Sequence, residues 1–218
     1  MRSVTYSMNI SLDGHIAGPD GDFNWTEPDE EVFRSHIDEI RKVGVYLLGR
    51  RLYETMLYWE TADQDPSLND ARLEWAALWT RLPKVVFSTA LSAVQGNARL
   101  ASGGLAEEIK RLRAEPANGN IAIGGAPLAV EAAASDLIDE YVTRIYPVLV
   151  GGGMPFFPHH ERRVNLELAE SRTFNAQVVH LRHRVRRQPQ GHPRPHRHTE
   201  VQKASSESRE GTGGDSHP

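Results

Sequence analysis

Residues 121–134 read IAIGGAPLAVEAAA. A short apolar run, Ile121–Ile123, stops at Gly124-Gly125, and Pro127 then opens an alanine-rich helix that runs to about Ala134. Proline suits the first turn of a helix, where its missing N–H has no partner to lose. A buried-type strand that enters a helix through a diglycine turn is one half of a crossover unit. Two glycines there let the backbone approach a ligand, and the free N–H groups of the following helix favour phosphate. Read alone, the same turn is more often a plain tight connection. It is neither GxGxxG nor a P-loop.

Outward from that turn, strands and helices alternate. Val4–Ile10 is an apolar-rich run that enters Ser-Leu-Asp-Gly, and residues 28–43 carry Val32, Phe33, His36, Ile37, Ile40 and Val43 at helical spacing. Thr26 and Asp29 suggest a capping box for this helix. Val45–Leu48 and Lys84–Ser88 read as buried strands, and Asn69–Leu82 and Leu105–Arg113 as helices. Three later runs, Glu140–Val150, Val164–Glu170 and Val178–Val185, read as strands, the last two by alternation, and are expected to add antiparallel to the sheet edge. The pattern predicts an α/β fold in three layers, with a mixed, mainly parallel sheet and antiparallel C-terminal strands.

Composition sets the class. The 218 residues include no cysteine, which excludes a disulfide framework, a thiolate zinc site and a cysteine nucleophile. No apolar run is long enough for a membrane span, and the start shows no secretory signal. A formal charge of −4 gives no electrostatic reason to bind nucleic acid. A cytoplasmic protein acting on a small molecule is expected. From Arg186 to Pro218 only Val201 and Ala204 are apolar, so residues 1–185 are read as one domain and 186–218 as a disordered tail. His192, His196 and His198 in that tail are read as solvated, and His159-His160 suggests no metal site because adjacent side chains diverge.

Ligands of open α/β sheets bind beyond the carboxyl ends of the parallel strands. Four segments leave strands there: Ser11-Leu12-Asp13-Gly14, Gly49-Arg50-Arg51, Ser88-Thr89 and Gly124-Gly125-Ala126. Two arginines, two hydroxyls and a diglycine turn on one edge point to a polyanion such as a dinucleotide. Each has a plainer meaning as a surface cation or a capping hydroxyl. Two carboxylates are candidates for proton delivery. Asp13 sits in a turn that its side chain would also cap, whereas Glu30 borders the apolar face of its helix, where burial would raise its pKa, or serves as a first-turn charge. Trp25 is placed to line a planar ligand, and His15 is read as a loop histidine.

The motifs SLDGHIAGPDGDFNW (11–25), LLGRRLYETM (47–56), LPKVVFSTAL (82–91), IAIGGAPLA (121–129) and DEYVTRIYPVLVGGGMPFF (139–157) occur in this order. Together they resemble the dihydrofolate reductase-like family, in the branch of the riboflavin-biosynthesis reductase domain (the RibD C-terminal domain). The resemblance runs through LELAESRTF to about Val185. It implies the dihydrofolate reductase-like fold and an NADPH-dependent reductase. By position, Ile16 and Ala17 would border the nicotinamide, and Gly49, Arg50 and Arg51 would meet phosphates. Ser88 and Thr89 would face the 2′-phosphate side, and Gly124, Gly125 and Ala126 would hold the pyrophosphate. Trp25-Thr26-Glu27-Pro28-Asp29-Glu30 imitates the Trp-x-x-Pro segment that precedes the acidic residue of dihydrofolate reductases, which puts Glu30 in that role. The zinc deaminase half of the bifunctional riboflavin enzyme needs cysteines that this chain lacks.

The expected activity is hydride transfer to a pterin-like or pyrimidine-like heterocycle. Two rivals are a nucleotide-binding homologue without turnover and a structural dimer whose pocket is vestigial. For a homodimer, the apolar GGGMPFFP segment offers an interface, unless it is buried within one chain.

Overall fold

The computed structural model describes residues 1–157, 163–175 and 177–187. Along the chain run β1 (Val4–Ser11), β2 (His15–Ala17), α1 (Glu30–Ile40), β3 (Val43–Gly49), α2 (Arg50–Met56), α3 (Asp70–Arg81), β4 (Lys84–Phe87), β5 (Ala98–Leu100), α4 (Leu105–Ala114), β6 (Asn120–Gly124), α5 (Ala126–Ala134), β7 (Glu140–Tyr146), β8 (Met154–Pro155), β9 (Leu166–Phe174) and β10 (Val178–Val185). Eight strands form one sheet in the order β5-β4-β3-β6-β1-β7-β10-β9, while β2 and β8 pair separately. The sheet is mixed and mainly parallel, as expected.

Helices cover both faces. Val4, Tyr6, Val45, Leu47, Ile121 and Ile123 bury against α4 and α5, where Leu105, Ile109 and Leu112 repeat at helical spacing. On the opposite face Leu48, Trp79 and Val86 share a second cluster, and Phe33 and Ile37 of α1 pack on Ala71 of α3. Phe156 is wholly buried and stacks on Tyr6 at 4.4 Å, so the first phenylalanine of GGGMPFF belongs to this chain's own core.

Several expectations are corrected. β7 lies beside β1 and pairs with it in parallel; within the eight-stranded sheet only β9 and β10 add antiparallel. It ends at Tyr146, because Pro147 has no N–H for a ladder and Val148 N–H turns back to Tyr146 O at 2.8 Å. α1 starts at Glu30, and Asp29 is its N-cap, accepting from Val32 N–H at 2.8 Å. Thr26 is therefore no part of a capping box; its hydroxyl donates to Phe23 O at 2.8 Å within a short 3-10 turn. The helix stops at Ile40, and Val43 begins β3 instead. Arg186 and Arg187, counted with the tail by composition, are bonded to the domain: Arg186 N–H donates to Asn165 O at 2.8 Å, and Arg187 meets Asp139 at 2.8 Å. Residues 188–218, with His192, His196 and His198, and the His159-His160 pair lie outside the described residues.

Among the described residues no helix is long and apolar enough to cross a membrane, and no three His, Asp or Glu side chains gather as metal ligands.

Candidate active site

β3 and β6 are neighbours in register, with Leu48 opposite Gly124, so Gly49 and Gly125 leave the sheet side by side. The two glycines of the turn do different work. A Cβ on Gly124 would lie 2.5 Å from Leu52 Cδ2 and 2.7 Å from Tyr46 Cε1, so the first position is closed by packing. Gly125 has φ +98° and ψ 132°, a conformation that side-chain-bearing residues avoid. A Cβ there would stand 4.0 Å from Gly49 N and from Leu52 Cβ, within the cleft between the turn and α2. α5 starts at Ala126, and its first-turn N–H groups, apart from Pro127, have no partner inside the helix.

This cleft opens a cavity of about 930 Å³. Ile16, Ala17, Gly49, Arg50, Arg51, Gly125 and Ala126 line its edge at the carboxyl ends of the strands. Seven of the positions expected on the cofactor side thus come together. Gly124 shapes the turn from beneath. Arg50 is bonded to Glu54 at 3.0 Å, whereas Arg51 makes no ion pair among the described residues. Ala17 is held by close backbone approach, since a Cβ on Gly153 would fall 2.2 Å from Ala17 O.

Other candidates stand elsewhere. Ser88 Oγ accepts from Ala90 N–H at 3.1 Å and Leu91 N–H at 3.0 Å, the capping role of a turn hydroxyl, and neither Ser88 nor Thr89 lines the cavity. Asp13 is a structural acceptor: its carboxylate takes Val150 N–H at 3.2 Å and Gly151 N–H at 2.8 Å. Hydrogen bonding from Ser11, with those two N–H groups, holds its pKa below the ordinary carboxylate range. A carboxylate kept ionised in this way delivers no proton, and it does not line the cavity. It stands 3.6 Å from His15 Nδ1.

Glu30 does not lie against apolar surface. Its side chain is 68% exposed and pairs with Arg34 at 2.8 Å, one turn along α1, so the premise of burial fails. Glu30 is the first residue of α1, and the buried positions Val32, Phe33, Ser35, Ile37 and Ile40 all lie further along the helix. Trp25 packs edge-on against Tyr146 at 6.1 Å and lines a separate cavity of about 290 Å³ with Val32 and Val178. Phe23 and Thr26, its neighbours, line the large cavity instead.

The cavity continues beneath the sheet, between it and α1 and α3. Its floor is polar: Thr5, Ser7 and Asn9 of β1, Tyr46 of β3 and Arg144 of β7. His36 of α1 and Trp75 of α3 contribute to the opposite wall. From the sequence, Trp75 reads as core or pocket wall and His36 as part of the helical pattern, but Thr5, Ser7, Asn9, Tyr46 and Arg144 are not singled out, although a signal is present. A central strand covered on both faces usually reads as a continuous apolar run. VTYSMNIS alternates instead, and Thr5, Ser7 and Asn9 face this space. Arg144 is 2% exposed; its guanidinium donates from Nε to Ser35 Oγ at 3.2 Å, from Nη2 to Ser35 O at 3.4 Å and from Nη1 to Ser7 Oγ at 3.5 Å. Asn9 Oδ1 and Thr5 Oγ1 are buried without a partner. Burial drives the pKa of His36 well down, with Arg144 adding to the shift, so this imidazole is neutral.

Known proteins share this architecture and sequence. The family model of the RibD C-terminal domain matches residues 2–180. The uncharacterized protein YyaP of Bacillus subtilis (strain 168) is 27% identical over 180 residues, spanning 83% of this chain and 93% of its own length. The uncharacterized protein YwjB of the same strain is 28% identical, over 85% of this chain and 98% of its own length. A provisionally assigned riboflavin biosynthesis protein from Shewanella sp. PV-4 superposes with a TM-score of 0.68 at 23% identity, covering 85% of this chain and 99% of the other. A diaminohydroxyphosphoribosylaminopyrimidine deaminase/5-amino-6-(5-phosphoribosylamino)uracil reductase from Thermotoga maritima gives a TM-score of 0.58 at 16% identity, over 84% of this chain and 56% of that longer protein. At such identities the two structures speak for the fold alone. The match of the family model over most of the chain goes further: the chain belongs to the RibD C-terminal domain family.

Proposed function

We propose that this protein is a cytoplasmic NADPH-dependent reductase acting on a C=N or C=O bond of a small pterin-like or pyrimidine-like heterocycle. The observation that carries the reading is the joining of the Gly49 and Gly124-Gly125 turns at one cleft, continuous with a polar-floored cavity beneath the sheet. The site fits a dinucleotide. A Cβ at Gly125 would enter the cleft, α5 presents first-turn N–H groups without a helical partner there, and Arg51 supplies a charge that no carboxylate among the described residues takes up. Gly125, Ala126 and Arg51 would hold the phosphates, and Ile16 and Ala17 would border the nicotinamide, which supplies the hydride when bound.

The protein's own share of the chemistry is positioning. The Ile16–Ala17 strand, tied to β8 and braced by Asp13, walls one side, and Trp75 and Trp79 close the space beneath the sheet. With Glu30 on the surface and Asp13 occupied, the proton comes from water admitted along the cavity. That arrangement also favours a second reading, a nucleotide-binding homologue without turnover.

Titration of intrinsic tryptophan fluorescence with NADPH and with NADH tests both. The expected result is NADPH binding well above NADH binding, weakened about tenfold or more in Arg51→Ala, in keeping with about 1.4 kcal/mol per tenfold. Arg50→Ala should weaken it less, because Glu54 already engages that guanidinium. Oxidation of NADPH by a reducible pterin or pyrimidinone then separates enzyme from binder. Failure to bind either dinucleotide would refute the reading.

A further inference from the structure

The floor of the cavity carries a cation without a matching anion. Arg144 is fully inside the protein, yet its contacts are three long hydrogen bonds to neutral oxygens of Ser35 and Ser7. A buried charge normally has an ionic partner and short hydrogen bonds. Glu39 is the carboxylate whose charge acts on Arg144, and it is itself held by Lys42 at 2.7 Å and by Arg182. Arg182 in turn meets Glu140 at 2.7 Å, so the carboxylates around it are already shared. His180, opposite Arg144 on β10, and His36 across the cavity are both neutral and supply no anion. Beside Arg144 on β1, Asn9 Oδ1 is buried, unpartnered and open to the same space.

We propose that Arg144 is a specificity-determining residue that reads a negative charge, a carboxylate or an ionised ring oxygen, on the buried edge of the substrate, with Asn9 beside it as acceptor for a ring N–H. This rests on the cavity being the reductase's substrate compartment. It inverts the arrangement implied by the resemblance to dihydrofolate reductases, in which a protein carboxylate meets the ring. Here the unpaired charge on the floor is positive, and the residue at the acidic position, Glu30, points to solvent. A guanidinium can grip a carboxylate through two parallel N–H bonds, which an uncharged amide cannot return.

The test compares orotate with orotamide, the same planar ring bearing a carboxylate or its neutral amide. Binding is followed by calorimetry on the full chain, with and without NADPH. Orotate is expected to bind at least tenfold tighter. Arg144→Met, close in volume, should abolish the difference while the apoprotein melts no lower than wild type, since it loses an uncompensated charge rather than a strut. Arg144→Lys keeps the charge but not the paired bonds and should weaken orotate binding several-fold; it carries the test if Arg144→Met does not fold. Equal affinity for the two probes, no binding of either, a preference that persists in Arg144→Met, or wild-type orotate affinity in Arg144→Lys would each overturn the proposal. Loss of the orotate preference with NADPH binding intact removes this inference alone. An intact preference with no NADPH binding removes the reductase reading and leaves an anion site.

Discussion

Replacing Gly125 by alanine acts on folding and binding through two separate features of one residue. At φ +98° a side-chain-bearing residue is strained by about 1–3 kcal/mol. The smaller conformational freedom of alanine in the unfolded chain returns about 0.4–1 kcal/mol. The net loss is about 1–2 kcal/mol, which in a domain of this size lowers the melting temperature by about 2–8 °C. The added methyl also enters the cleft, 4.0 Å from Gly49 N, where the backbone would otherwise approach a phosphate. NADPH affinity should therefore fall at least tenfold. Gly124→Ala is the control. Its methyl presses on Leu52 and Tyr46 from behind the cavity wall, an overpacking of about 1–3 kcal/mol, but Gly124 itself does not line the cavity. Thermal melts and fluorescence titrations of both variants separate the two effects: both melt lower, and only Gly125→Ala binds markedly less. A Gly125→Ala protein that melts and binds like wild type would refute the assignment of that backbone conformation to the turn.

Two further expectations concern the interior and the cofactor-side loop. Burial, reinforced by Arg144, lowers the pKa of His180 to about 4, against about 6.5 in an unfolded chain. Between those values the unfolded state binds the extra proton, so stability falls as pH drops from about 6.5 to about 4, by up to about 1.4 kcal/mol per pH unit. Urea unfolding at about pH 7 and pH 5 should show this loss, reduced by about 2 kcal/mol in His180→Leu; an unchanged difference would exclude His180 as its source. In Gly153→Ala the new methyl would meet backbone, Ala17 O at 2.2 Å and Gly18 C at 2.5 Å, and φ there is +111°. The β2–β8 pair must then separate, and NADPH binding should drop together with hydrogen-exchange protection of Ile16 and Ala17; unaltered protection would show that the close approach is not required.

Local patterns along the chain settle the layers of this fold and one edge of its site. Ile121–Ile123, Val45–Leu48 and Lys84–Ser88 are short apolar runs that only a doubly covered sheet can bury, and the helices between them supply the covers. The turns that follow these strands can be placed at the carboxyl edge from topology alone, which is why Gly49, Arg51, Gly125 and Ala126 meet where they were expected. Composition and helical period set limits elsewhere. Spacing alone made Glu30 a border residue, but the buried arc of α1 is decided by what packs on it, and Phe33 and Ile37 turn toward Ala71. Ser88, Thr89 and Asp13 have side chains that can serve a ligand or the nearest backbone, and only the folded loops show that Ser88 and Asp13 are satisfied locally. The same holds for β7, whose apolar character fits either direction of pairing; its position beside β1 follows from the order in which the sheet closes. Arg144 is the extreme case. One arginine in an otherwise apolar-rich strand is an ordinary edge residue until the sheet places it beside Asn9, beneath α1, with Ser7 and Ser35 as its only hydrogen-bond partners among the described residues. These bonds join residues more than a hundred positions apart in the chain, and no local pattern carries them.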